Sequence, residues 1–174
     1  WLEAEASGVT AHGSMPEQGV NAIYKAARAI LKLNSFDFGT TPHPVLGAPT
    51  LNIGTITGGI NANSVPDRAV FTIDIRTVPT QSCDEVYQAL QASVGKEIVL
   101  KNKIIAPAVA SDPENQWIQY VFGVMAAHIG EQPVPTGVTY FTDASALTDA
   151  FGNIPTVILG PGEPHMAHKT DEFC

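Results

Sequence analysis

Six short periodic segments in the first 105 residues constrain this chain more than any single residue does. Trp1 to Ala11 alternates loosely and reads as a strand. A helix follows, its start marked by Pro16 and Gly19. Its apolar positions Ala22, Ile23, Ala26, Ala27, Ile30 and Leu31 recur at helical spacing, with Lys25, Arg28 and Lys32 on the other face. Beyond a loop holding Pro42, Pro44 and Pro49, Leu51 to Ile56 has the character of a strand. The turn from Gly58 to Asp67 leads to Ala69 to Arg76. Strict alternation there puts Asp74 and Arg76 on one face and Ile73 and Ile75 on the other. Asp84 to Ser93 is expected to be a helix with Ser82 or Cys83 near its cap, and Glu97 to Ile105 a further strand. The order β-α-β-β-α-β is that of a ferredoxin-like sandwich.

Composition shifts at Ala106 to Pro113, where Pro107 and Pro113 flank a segment with the look of a domain crossing. A helix from about Glu114 to Ile129, a short helix after Thr142-Asp143-Ala144 and a strand over Pro155 to Leu159 are expected beyond it. These α/β pieces are too few to bury both faces of a sheet. The expected class is therefore α+β: a ferredoxin-like domain over residues 1–106, then an incomplete α/β portion over 107–174.

Net charge narrows the partners. A value of −8, with nine scattered basic residues, excludes the clustered Lys and Arg that phosphate backbones require, so no nucleic acid is expected. No apolar run approaches the roughly 20 residues that span a bilayer, so no membrane is expected either. Cys83 and Cys174 make no framework and no C-x-x-C pair, and a reduced, cytoplasmic setting is the default. The chain opens on Trp1 and stops at Phe173-Cys174 without a closing element; both ends are expected to be cut.

Four stretches carry a resemblance. Gly8-x-x-Ala11-His12-Gly13-Ser14-x-Pro16-x-x-Gly19-x-Asn21-Ala22-Ile23 is followed by Gly58-Gly59-x-x-x-Asn63-x-Val65-Pro66-Asp67 with Asp74-Ile75-Arg76-x-x-Pro79. Then come Thr142-Asp143-Ala144, and Gly160-Pro161-Gly162 through Ala167-His168-x-x-Asp171-Glu172. In this order they resemble the aminoacylase/acetylornithine deacetylase/succinyl-diaminopimelate desuccinylase/carboxypeptidase G family, over its lid (dimerisation) domain and the end of its catalytic domain. The last stretch leans slightly towards acetylornithine deacetylase.

The resemblance implies a chemistry. Family members hydrolyse an amide with two zinc ions, a bridging water and a glutamate base, and pair as homodimers through the lid. His12 matches a histidine that reaches the neighbouring subunit's site and donates to the oxyanion, a catalytic role. His168 matches a zinc ligand; His165 is not required by the motif. Asn63 would bond a substrate carbonyl, and Arg76, with a guanidinium fork suited to carboxylates, would hold the α-carboxylate. Thr142 and Gly160 would line the substrate pocket. By residue type alone, other roles stay open: His12 as a structural histidine, Asn63 as a turn residue, Arg76 as a surface ion pair, His168 as a surface histidine. The family's upstream metal motifs, a His-x-Asp, a bridging Asp and a Glu-Glu pair, do not occur here, and catalytic zinc needs at least three protein ligands. The expectation is a fragment of a zinc-dependent enzyme acting on an N-acyl amino acid or peptide, inactive alone. The alternative is a non-catalytic homodimerisation module.

Overall fold

The computed structural model describes residues 1–160, 166 and 169–171. They form two compact units: residues 1–108 with 136–141, and residues 109–135 with those from 142 onward. The first unit extends slightly past the expected crossing at 106 and takes back a later segment. Gly137 lies close against Val45 and Leu46, and the Phe141 ring stands 5.4 Å from that of Trp1.

The first unit is the expected sandwich. Its elements are β1 (Leu2–Ser7), α1 (Ala22–Asn34), β2 (Thr50–Gly58), β3 (Arg68–Arg76), α2 (Cys83–Val94) and β4 (Ile98–Asn102). The strands form one antiparallel sheet in the order β2-β3-β1-β4. Alternation decides the faces. Leu2, Ala4 and Ala6 of β1, Ala69, Phe71 and Ile73 of β3, and Ile98 and Leu100 of β4 are buried. Their odd neighbours Glu3 and Glu5, together with Thr72 and Asp74, stand on the open face. The small residues Ala22, Ala26 and Ala29 let α1 approach the sheet closely, and α2 adds Val86, Leu90 and Val94.

Both helices begin at side-chain caps. Asn21 Oδ1 accepts from the Tyr24 amide at 3.2 Å, and Ser82 Oγ from that of Glu85 at 3.5 Å. Two details depart from the sequence reading. Ala27 and Leu31 are exposed, and Ala29 and Leu33 take the inward positions, because α1 is apolar on more than one face. On β2 the register slips between Ile53 and Thr55, which turns the second half of the strand over and brings Ile56, half exposed at this sheet edge, opposite buried Phe71.

The second unit holds α3 (Gln116–Ile129), capped by Asn115 and stopped at the left-handed Gly130, and the short α4 (Ala144–Ala150). The strand expected over residues 155–159 is not one. Ser111 Oγ accepts from the Thr156 amide at 2.7 Å and donates to the Thr156 carbonyl at 2.8 Å, doing the work of a neighbouring strand with one side chain. No helix of the described residues is long and apolar enough to cross a membrane.

Candidate functional site

The pairing of β1 with β3 does not stop where the sheet stops. Past Ser7 the chain runs beside the segment that leads into β3. The Gly8 amide donates to the Asp67 carbonyl (2.7 Å), the Val65 amide to the Ala11 carbonyl (2.8 Å), and the Gly13 amide to the Asn63 carbonyl (2.7 Å). His12 therefore sits opposite Ser64, in a loose extension of the ladder, with Asn63 next to it. Gly13 is needed for this approach, since a Cβ there would stand 2.9 Å from the Asn63 carbonyl carbon. Paired bonds between Val9 and Val20 (2.9 and 2.8 Å) close the loop that carries His12. His12 and Asn63 are both exposed.

The imidazole is oriented from its own loop. The Met15 amide donates to the His12 carbonyl (2.9 Å), a turn that brings Ser14 back over the ring. The Ser14 amide lies 3.2 Å and its hydroxyl 2.7 Å from Nδ1. Sequence reasoning passed over Ser14; its place two residues after a candidate histidine was the available signal.

Arg76 stands elsewhere. It closes β3 at the end opposite Arg68, opposite Thr50 of β2. Eight residue steps at the usual strand rise separate the two ends by about 26 Å. Its Nε and one Nη nitrogen donate to the two oxygens of Asp74, each at 2.7 Å, and its guanidinium lies 4.1 Å above the Phe141 ring. Two of its five N–H groups are spent on Asp74, and among the described residues no other hydrogen bond engages the rest. Asp74 is on the face where alternation put it beside Arg76; Phe141 escaped notice as a partner, because 64 residues lie between them in sequence.

At the His12 end, Glu5 on the open face receives Arg68 Nη2 (3.1 Å) and Lys101 Nζ (2.9 Å). The hydrogen bond from Arg68, then that from Lys101, pull its carboxyl from an ordinary 4.5 to about 2, and the Arg68 guanidinium is held more firmly in its charged form.

Of the second unit's candidates, Thr142 accepts from the Ala144 amide at 3.3 Å, the first turn of α4. Gly160 is exposed, and among the described residues nothing lies within 4 Å of the carbon a side chain would add. His168 lies outside the described residues, as does His165. Among the described residues no three His, Cys, Asp or Glu side chains converge, so by themselves they do not fit a zinc centre.

With this geometry in place, the comparisons decide the family. Residues 1–100 match the model of the peptidase dimerisation domain. This chain belongs to that family. It is similar to a probable succinyl-diaminopimelate desuccinylase of Staphylococcus epidermidis, 27% identical over 97% of this chain and 49% of that protein. It is similar also to an acetylornithine deacetylase of Vibrio atlanticus, 33% identical over 96% of this chain and 45% of that protein. Among solved structures, aminopeptidase PepT of Bacillus cereus superimposes with a TM-score of 0.72 at 23% identity, covering 92% of this chain and 43% of that one. The chain spans about half the length of the curated relatives it matches. Relatives of the family are hydrolases, and the resemblance read from the four motifs holds.

Proposed function

We propose that this chain supplies the lid and part of the catalytic domain of a cytoplasmic, zinc-dependent amidohydrolase acting on an N-acyl amino acid or peptide. The working unit is a homodimer. In each site the partner subunit's His12 donates to the oxyanion that forms as the amide carbonyl is attacked, and Asn63 bonds the substrate. Arg76 holds the α-carboxylate, Thr142 and Gly160 line the pocket, and His168 is one ligand of a two-zinc centre. Alone, the chain is inactive, because one candidate ligand makes no metal cage.

The observation that carries this reading is the separation of the two lid groups. A small substrate does not bridge the roughly 26 Å between the His12 and Arg76 ends of one β3. A two-fold pair joined along one sheet edge resolves this, since antiparallel joining sets one copy's Arg76 end beside the partner's His12 end. Counted across to the β1 side that carries His12, the gap is then about four strand spacings, roughly 19 Å, for long side chains and a substrate to fill. The sheet favours one edge for this. On β4 the outward Leu100 amide and Ile98 carbonyl are taken by the Gln91 side chain (3.3 and 2.9 Å), and the Leu100 carbonyl by the Tyr87 hydroxyl (2.9 Å). Among the described residues no strand pairs with the outer edge of β2, which lies beside exposed Ile56 and the exposed Tyr24, Ala27 and Leu31 of α1.

The test begins with the reading frame upstream of the Trp1 codon. The protein it encodes is assayed, zinc-loaded, for hydrolysis of N-acetyl-ornithine and N-succinyl-diaminopimelate. H12A and R76A should each abolish turnover, and mixing the two should restore about one quarter of it, because half the dimers gain one intact site. Dimers that recover nothing on mixing overturn the shared site. The same open edge and apolar helix favour the second reading, a non-catalytic self-association module, which stands if the complete protein dimerises and turns over neither substrate.

A further inference from the structure

We infer that Ser14 is a positioning residue that fixes the tautomer of His12, placing the ring hydrogen on Nε2 and aiming it outward. The inference rests on the reading of His12 as an oxyanion donor. A neutral imidazole donates from one nitrogen only, and the wrong tautomer would present a lone pair to a developing negative charge. The Ser14 backbone amide faces Nδ1 at 3.2 Å, and an amide N–H has a hydrogen to give and no lone pair to accept one. At 3.2 Å this contact favours the Nδ1 lone pair without fixing it, so the deciding donor is the side chain. The Ser14 hydroxyl, at 2.7 Å from the same atom, donates as well. The hydrogen then belongs to Nε2, a tautomer assigned from its donors.

Packing cannot do this job, because His12 is exposed. The peptides on either side of His12 are already held, through the bonds of Val65 to Ala11 and of Gly13 to Asn63. Only the two ring torsions remain free, and Ser14 restrains both. A hydroxyl this close to an imidazole also suggests a serine nucleophile with His12 as its base. That arrangement needs an orienting group on the far nitrogen, and among the described residues none hydrogen-bonds Nε2.

Two measurements test the assignment. Long-range proton–nitrogen correlations on histidine-labelled protein, in mildly alkaline buffer, read the tautomer of His12 directly, with H12N identifying its signals. The Nε2–H pattern is expected, giving way to a mixture in S14A and restored in S14T. An Nδ1–H pattern in the unsubstituted protein, or no change in S14A, overturns the inference. In the protein from the complete frame, S14A should lower kcat about tenfold with KM little changed, and S14T should recover it. If H12A leaves kcat unaltered, the oxyanion reading fails while the tautomer result stands. If H12A abolishes turnover and S14A does nothing, the role of Ser14 alone fails.

Discussion

The two units treat the same kind of residue in opposite ways. In the first, Phe71, Leu33, Ile73 and Leu90 are fully enclosed between sheet and helices. In the second, only Ile118 and Ala144 are buried among the described residues, while Tyr120 is 69% exposed and Phe151 65%. Apolar content does not separate them, for α3 carries Trp117, Ile118, Tyr120, Val121, Phe122 and Val124 in eight positions. What separates them is a second layer. The lid's sheet has two helices to cover it, whereas the second unit has helices and no sheet among its described residues. An apolar stripe becomes a core only when another element faces it.

Truncating one aromatic in each unit should give the largest contrast. Phe71→Ala empties a space at the centre of the lid and should cost about 3–5 kcal/mol. Phe151→Ala removes a ring that stands mostly in water and should change stability by less than about 0.5 kcal/mol. Urea unfolding followed by circular dichroism measures both. Equal losses would mean that the second unit encloses Phe151 in solution, and the contrast would collapse.

Glycines sharpen the same comparison. Gly13→Ala drives a methyl into the Asn63 peptide and should cost about 1–3 kcal/mol while spreading His12 from Asn63. Gly123, inside α3, has nothing within 4 Å of the added carbon. Gly123→Ala should therefore stabilise, by about 0.5–1 kcal/mol, through helix propensity alone. A stabilising Gly13→Ala would mean that the His12 loop is looser than the close crossing implies.

The lid was legible in the sequence because its periodicities are strong and mutually consistent. Alternation over residues 69–76 and the helical stripes on either side admit few arrangements other than the observed one. The inward face of α1 was less legible, since Ala27 and Leu31 are as apolar as Ala29 and Leu33 and only the sheet decides between them. Residues 155–159 have strand-like composition but no strand beside them among the described residues, and strand propensity expresses itself only in a ladder. At the candidate site, the neighbourhood of His12 and Asn63 follows from register, which sequence does not print. Phe141 over Arg76 is a contact across 65 residues that no local pattern announces.

Charge separates the units on a smaller scale. Asp74→Ala breaks the fork to Arg76, a pair about a third exposed, and should cost about 0.2–1 kcal/mol. Ser111→Ala removes the neutral bonds to Thr156 and should cost about 0.5–1.5 kcal/mol. Salt distinguishes the two: the Asp74 effect should shrink as sodium chloride is raised, and the Ser111 effect should not. If both respond alike, the Arg76–Asp74 unit is held by its hydrogen bonds and the Phe141 ring more than by charge.

The smallest effect is one of pH, and it belongs to the lid, which holds every ion pair among the described residues. In the folded chain Glu5 keeps its charge down to about 2, against 4.5 for an ordinary glutamate. Between those values the unfolded chain takes up a proton that the folded chain refuses. Stability from Glu5 is thus fully present above about 4.5, declines as the pH falls through this window, and is gone below about 2. Glu5→Gln removes that dependence while keeping a hydrogen-bonding side chain between Arg68 and Lys101. The difference in urea midpoint between the two proteins should be constant near neutrality and narrow as the pH falls through this window. A difference that stays constant down to the acid limit would mean that Arg68 and Lys101 do not grip Glu5 in solution. The open face of the sheet would then be as loosely tied as the surface of the second unit.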